Sequence, residues 1–199
     1  MKIIGITGGT GAGKTTALAA LRELGALLID ADAVYHCLTE ESAAMRQELE
    51  ARFGPLYDSE GRLERKKLGK LVFADEAALQ DLNRLTHRYV GEETDRLIQK
   101  AEAEGRPAVA IDAIELIGSG LGALCHARVA VIAPKELRIR RIMAREGISE
   151  EYARLRVEAQ RDEAYFRANC EYILENREED SLEAFSRRAL HLFSEILST

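Results

Sequence analysis

Apolar residues along this chain follow two rhythms. Five short runs are almost continuously hydrophobic: residues 2–7 (KIIGIT), 26–30 (ALLID), 108–112 (AVAID), 128–133 (RVAVIA) and 172–174 (YIL). Runs of this length, rich in Val, Ile and Leu, are what parallel strands buried on both faces require. Between them the spacing lengthens to three and four. Leu18, Leu21 and Leu24 mark a helix over 14–24 that stops at Gly25, a residue suited to a left-handed C-terminal cap. Strand and helix alternate, so the pattern predicts an α/β fold built on a five-stranded parallel sheet with helices on both faces.

About seventy residues separate the second and third strands, too many for a simple crossover. Met45, Leu49 and Phe53 recur at helical spacing up to a break at Gly54-Pro55, and a turn is expected over 58–61 (DSEG). A basic segment, RKKLGK, follows, and then Leu79, Leu82, Leu85, Val90, Leu97 and Ile98 trace a helical stretch up to Gly105. The segment reads as a helical insertion over 34–105. Residues 135–167 are helical in pattern and dense in arginine, and Ser181 stands where it can cap a last amphipathic helix bearing Leu182, Phe185, Ala189, Phe193 and Ile196. The expected organisation is a core of 1–33, 106–134 and 168–199, with the insertion and a lid over 135–167.

Composition adds limits. With 199 residues the chain suits one domain with excursions, and 46% hydrophobic and 31% charged residues are ordinary for a globular protein. No apolar run approaches the ~20 residues that cross a bilayer, and Met1-Lys2-Ile3-Ile4 leads into a strand rather than a signal peptide, so no membrane partner and a cytoplasmic location are expected. A net charge of -6 argues against coating nucleic acid while leaving room for a local basic patch. Oligomeric state stays open between a monomer and a small homo-oligomer. Cys37, Cys125 and Cys170 are widely spaced and odd in number, so buried reduced thiols are expected rather than disulfides or a zinc site.

Residues 8–15, GGTGAGKT, fit the phosphate-loop pattern G-x-x-x-x-G-K-[ST], with the strand before and the helix after that give the motif its specificity. Glycines let successive N–H groups turn inward on phosphate oxygens, and the helix N-terminus adds positive potential. Gly8, Gly9, Thr10, Gly11, Ala12, Gly13, Lys14, Thr15 and Thr16 are therefore nucleotide-binding candidates, with Lys14 for the β- and γ-phosphates and Thr15 for magnesium. The fold class narrows to a P-loop NTPase of the nucleoside-monophosphate-kinase type. No Asn is followed by Lys, so the guanine-reading Asn-Lys-x-Asp motif is missing, and a small-molecule kinase is the economical reading.

Asp30 and Asp32 stand two apart at the end of the second run, where an extended chain turns both to one face. Ligands of open α/β sheets lie beyond the carboxyl ends of strands. The pair reads either as a base for an attacking hydroxyl or as a helix cap or water-mediated magnesium holder. Asp112, ending the third strand, reads as a magnesium-ordering carboxylate or a turn cap. Lys135, Arg138, Arg140, Arg141 and Arg145 face one acid, Glu136. Such a run is a solvated face or, through Arg141 and Arg145 on one helical face, a fork for a phosphoryl group. Residues 62–70 form a second cationic run.

Taken in order, GITGGTGAGKTT, IDAD, LNRLTH ending at His87, AIDAIELIGSGL, ELRIRRIMAREGISEEYA, EAQ at Gln160 and YILEN at Asn176 resemble the dephospho-coenzyme A kinase family over nearly the whole chain. The chain departs from the family pattern at Ile114 (usually Pro), Gly118 (usually Glu) and Arg88 (usually Pro). The resemblance implies ATP- and magnesium-dependent phosphorylation of the ribose 3′-hydroxyl of dephospho-coenzyme A, the last step of coenzyme A synthesis. It assigns Asp32 as base, Lys14, Arg141 and Arg145 as charge stabilisers, and Asn176 near adenine. On the acceptor side it places Asp32, His87, Asp112 and Leu116. The residue patterns alone leave two alternatives: a kinase for another small acceptor, and a nucleotide-gated regulatory protein.

Overall fold

The computed structural model describes residues 1–199. In chain order the elements are β1 (Lys2–Thr7), α1 (Lys14–Glu23), β2 (Leu27–Asp30), α2 (Ala31–Glu41), α3 (Ala43–Phe53), α4 (Arg65–Phe73), α5 (Glu76–Ala103) and β3 (Ala108–Asp112). There follow a 3-10 turn (Leu121–Leu124), β4 (Ala127–Ile132), α6 (Lys135–Glu146), α7 (Glu150–Glu158), α8 (Glu163–Asn169), β5 (Tyr172–Glu175) and α9 (Leu182–Ser198). They form two compact units, Met1–Ile29 with Lys100–Thr199, and Asp30–Gln99.

The first unit is the expected five-stranded parallel sheet, in the order β2-β3-β1-β4-β5. β1 lies between β3 and β4, which is why its inner residues are buried and its sequence is nearly all apolar. Register sets the edge that matters: Ile6 pairs with Asp112, Thr7 with Ala130, and Ile132 with Glu175. The carboxyl ends of these strands therefore share one rim of the sheet. Two bonds fix the chain as it leaves that rim, the Thr7 hydroxyl donating to the Ile114 carbonyl at 2.9 Å and the Asn176 N–H to the Ile132 carbonyl at 2.8 Å.

Helices α1 and α9 cover one face. Ile4, Ile6, Val129 and Val131 of the sheet meet Leu21 of α1 and Phe185 and Phe193 of α9, none more than 1% exposed. Each such side chain contributes roughly 1.5–3 kcal/mol through burial. Gly25, at φ 87°, ends α1 as its sequence position predicts, and the Ser181 hydroxyl caps α9 by accepting from Ala184 N–H at 3.1 Å.

Over 135–167, where the sequence is helical in pattern, the chain forms three helices, the last running on to Asn169. Gly147, at φ 66°, ends α6 in the left-handed region, after which the Ser149 hydroxyl accepts from Tyr152 N–H at 3.3 Å and starts α7. Asp162 then caps α8, accepting from Tyr165 N–H at 2.8 Å. Ile139 and Ile142 of α6 pack on Ala153 and Val157 of α7 in a small core of their own.

The second unit is helical, with Met45, Leu49, Leu56, Leu68, Val72 and Ala78 as its core. The expected turn forms because Asp58 Oδ1 accepts the N–H groups of Glu60 (2.9 Å) and Arg62 (3.0 Å). Asp30 and Asp32 do not lie in one extended stretch. Asp30 is the N-cap of α2, its Oδ1 accepting from Ala33 N–H at 3.0 Å, and Asp32 stands in the first helical turn. All three cysteines are free thiols, but the expectation that all are buried holds only for Cys170, Cys125 being half-buried and Cys37 exposed on α2. Burial raises the Cys125 thiol to about 12. No helix is long and apolar enough to cross a membrane.

Candidate active site

The loop between β1 and α1 is shaped by what surrounds it. At Gly8, φ is 137° and a Cβ would run into the Val131 carbonyl oxygen of β4. Gly13, at φ 111°, is the N-cap of α1, and a Cβ there would strike the Asn176 amide. Only glycine meets both the backbone angle and the close approach. The first N–H groups of a helix have no partner within it, so α1 presents donors and the positive end of its dipole at the loop. Lys14 curls back, its ammonium donating to the Gly8 carbonyl at 2.9 Å.

A cleft of ≈ 400 Å³ opens on this loop, lined by Gly9, Gly11, Gly13, Lys14, Thr15 and Thr16. Asp112 enters it from the end of β3, Arg141 from α6, Asn176 from the end of β5, and Asp180, Ser181, Leu182 and Phe185 from the start of α9. Arg141 donates to the Gly11 carbonyl and to Asn176 Oδ1, both at 3.2 Å. Asn176, 5% exposed, in turn donates from Nδ2 to the Ala12 carbonyl at 2.9 Å. Burial and the nearby Arg140 lower the Arg141 pKa, though a guanidinium stays charged at any working pH. Asp180 is held ionised, at about 2, chiefly by its hydrogen-bonded pair with Arg188. Leu182 is largely exposed beside the buried Phe185 ring, giving one wall an apolar lip.

The cleft thus gathers Gly9, Gly11, Gly13, Lys14, Thr15, Thr16, Asp112, Arg141 and Asn176 from the sequence-derived candidates. Gly8 and Ala12 belong to the loop backbone, where Ala12 N–H donates to the Gly9 carbonyl at 3.1 Å. Thr10 is bonded by Gln160 and Arg138. Arg145 lies exposed at the end of α6, donating to Glu146 at 2.5 Å. Leu116 is fully buried, with Cδ2 only 2.6 Å from where a Cβ on Gly5 would stand. Asp32, on α2, and His87, half-buried on α5, belong to the second unit. Where the family pattern has glutamate and this chain has Gly118, the Glu115 carboxylate lies 2.9 Å from the missing Cβ.

Asp180, Ser181, Leu182 and Phe185 escape the sequence reading as site residues, because the pattern shows a capped amphipathic helix but not that its first turn faces the phosphate loop. Arg138 is one cation of a run, with nothing in its spacing to separate it from Arg140. Chemically, the cleft offers cations, helix N–H donors, a hydroxyl and a carboxylate to a polyphosphate, with an apolar wall beside them.

Comparison with known proteins agrees with this chemistry. A sequence model of the dephospho-CoA kinase family matches residues 2–181. A dephospho-CoA kinase from Corynebacterium diphtheriae is 36% identical over 196 residues, 98% of each chain. Among solved structures, TT1252 from Thermus thermophilus superposes with a TM-score of 0.77 at 34% identity, covering 98% of this chain and 97% of that one. The dephospho-CoA kinase from Campylobacter jejuni gives 0.71 at 26% identity with the same coverage. On the match of the family model and of full-length relatives, the chain belongs to the dephospho-CoA kinase family.

Proposed function

We infer that this protein transfers the γ-phosphoryl group of ATP to the ribose 3′-hydroxyl of dephospho-coenzyme A, giving coenzyme A and ADP. The observation that carries this reading is the single cleft in which a phosphate loop, Lys14, Thr15, Asp112 and Arg141 meet, in a chain of this family.

Phosphoryl transfer asks a protein mainly for position and charge. The loop N–H groups and the α1 dipole hold the β- and γ-phosphates, and Lys14 is released from Gly8 to meet them. Arg141 sits on the loop through Gly11 and adds charge as the phosphoryl group moves. Asn176 and the Leu182–Phe185 wall receive adenine, an amide for its edge and apolar surface for its face.

Magnesium fits the donors present. Thr15 and Asp112 bring a hydroxyl and a carboxylate to one cleft, and no cluster of three or more His, Cys, Asp or Glu forms a dedicated cage. That suits an ion bound by one or two protein oxygens together with substrate phosphates. When bound, it neutralises charge on the phosphate oxygens.

Asp32 is assigned as the base that orients the 3′-hydroxyl and accepts its proton; its support is the family motif and its place two residues past the carboxyl end of β2. The second unit, with His87, is assigned the acceptor, and Arg145 with α6 and α7 the role of a lid, supported by the separate core those helices share. The test is acceptor-dependent ADP release. Dephospho-coenzyme A stimulates it and other nucleotides and sugars do not; an equal rate with and without every acceptor contradicts the assignment.

A further inference from the structure

Behind the cleft, a second set of polar groups holds the phosphate loop from outside. Thr10 is the residue between Gly9 and Gly11. Gln160, from the connection between α7 and α8, accepts the Thr10 N–H on Oε1 at 3.0 Å and donates from Nε2 to Thr10 Oγ1 at 2.8 Å. Arg138, from α6, donates from Nε to the Thr10 carbonyl at 3.0 Å. The same guanidinium donates from Nη2 to Gln160 Oε1. The N–H, the carbonyl and the hydroxyl of Thr10 are thus all engaged by two side chains that are bonded to each other.

The helix that carries Arg138 also lies against the loop. A Cβ on Gly11 would stand 2.9 Å from the Arg138 carbonyl oxygen, and one on Gly9 would collide with the Arg138 guanidinium. Gly11, also at φ 80°, is therefore required by the backbone of the protein's own α6, whereas a side chain at Gly9 would displace the guanidinium from its place. The Arg138 partners are neutral oxygens, and its burial lowers its pKa without removing the charge. A positive charge that its partners do not cancel is left beside the loop.

A loop with this many glycines is costly to hold in one shape, since the freedom that lets it bend around phosphates also lets it leave that shape. Phosphate oxygens need donors placed within roughly 0.5 Å. We propose that Arg138 and Gln160 form a latch on Thr10 that keeps the phosphate loop in its anion-binding shape, making both positioning residues for the polyphosphate of the nucleotide. Neither side chain lines the cleft, and both reach the loop through Thr10. The latch also ties α6 and the α7–α8 connection to the loop, so the segment assigned as the lid is bonded at its base to the group it covers. The inference rests on the nucleotide-binding part of the reading above and is independent of the acceptor.

The test measures binding directly. Calorimetry with a non-hydrolysable ATP analogue and magnesium compares wild type with Gln160→Ala, Arg138→Met, Thr10→Val and the Gln160→Ala/Thr10→Val double variant, alongside melting curves without nucleotide. Each single variant is expected to weaken binding about 10-fold, the loss of one (Thr10→Val), two (Arg138→Met) or three (Gln160→Ala) partly buried hydrogen bonds. The KM for ATP should rise in parallel while the KM for dephospho-coenzyme A and the melting temperature stay near wild type. The double variant should bind no worse than the weaker single one, because both remove the same bond. Thr10→Ser, which keeps the hydroxyl, should recover most of what Thr10→Val loses. Single variants that bind the analogue like wild type, multiplicative losses in the double variant, or losses that follow a falling melting temperature would overturn the latch. Weakened nucleotide binding in an enzyme that ignores dephospho-coenzyme A would support the latch and overturn the kinase reading instead.

Discussion

Asp30 and Asp32, two residues apart, stand in different settings because a helix begins between them. Asp30 caps α2, so Asp30→Ala should cost about 1 kcal/mol of stability in a denaturant titration while leaving turnover per folded molecule nearly intact. Asp32 caps nothing. Asp32→Asn should keep nucleotide binding by calorimetry and lower kcat by roughly 10²–10⁴-fold, the scale of a lost general base; near wild-type turnover would remove Asp32 from that role. The two carboxylates are indistinguishable as an Asp-x-Asp pair, and only the Ala33 N–H on Asp30 separates them. Phe185 shows another limit of sequence. Its spacing with Ala189 and Phe193 declares a core residue, and it is one, at 1% exposure, but its ring also backs Gly13 and walls the cleft. Phe185→Ala should cost about 3–5 kcal/mol and weaken nucleotide binding together.

Among the elements, the strands were the most legible, because a strand buried on both faces must be nearly all apolar, and β1, β3 and β4 are apolar but for Lys2, Thr7, Asp112 and Arg128 near their ends. The glycine signal at Gly25 was also sound, while the break that Gly147 makes after α6 was not singled out in a segment noted only as helical in pattern. What spacing cannot carry is contact between elements far apart in sequence, and the site depends on such contacts: Asn176 on Ala12, Arg141 on Gly11, Gln160 on Thr10. The join between β4 and β5 makes a pH prediction. Arg128 of β4 donates from its side chain and its N–H to Glu171, just before β5, holding that carboxyl at about 2. A depressed carboxylate pKa means stability that is present above the ordinary value of 4.5 and lost as pH falls toward 2. Glu171 is partly exposed, so the pair is worth roughly 0.2–1 kcal/mol. Glu171→Gln should flatten the stability profile between those pH values, lying below wild type by that amount near neutrality and converging with it as pH falls toward 2, as chemical denaturation at a series of pH values would show.

For the whole molecule, a net charge of -6 coexists with a cleft that faces its ligand with Lys14 and Arg141, backed by Arg138. Anion binding here is a local arrangement of charge and backbone, so it should weaken with ionic strength without extending to nucleic acid in general. The sheet, the loop and the family are consistent with one another, and what joins them into an enzyme is transfer to a particular hydroxyl. The decisive measurement is phosphorus NMR of the product formed from ATP, magnesium and dephospho-coenzyme A, with ADP release followed in the same sample. A new 3′-phosphomonoester equal in amount to the ADP released, and no ADP above background without the acceptor, is the result expected. ADP release with no phosphate on the acceptor, or with phosphate at another position, would contradict the account.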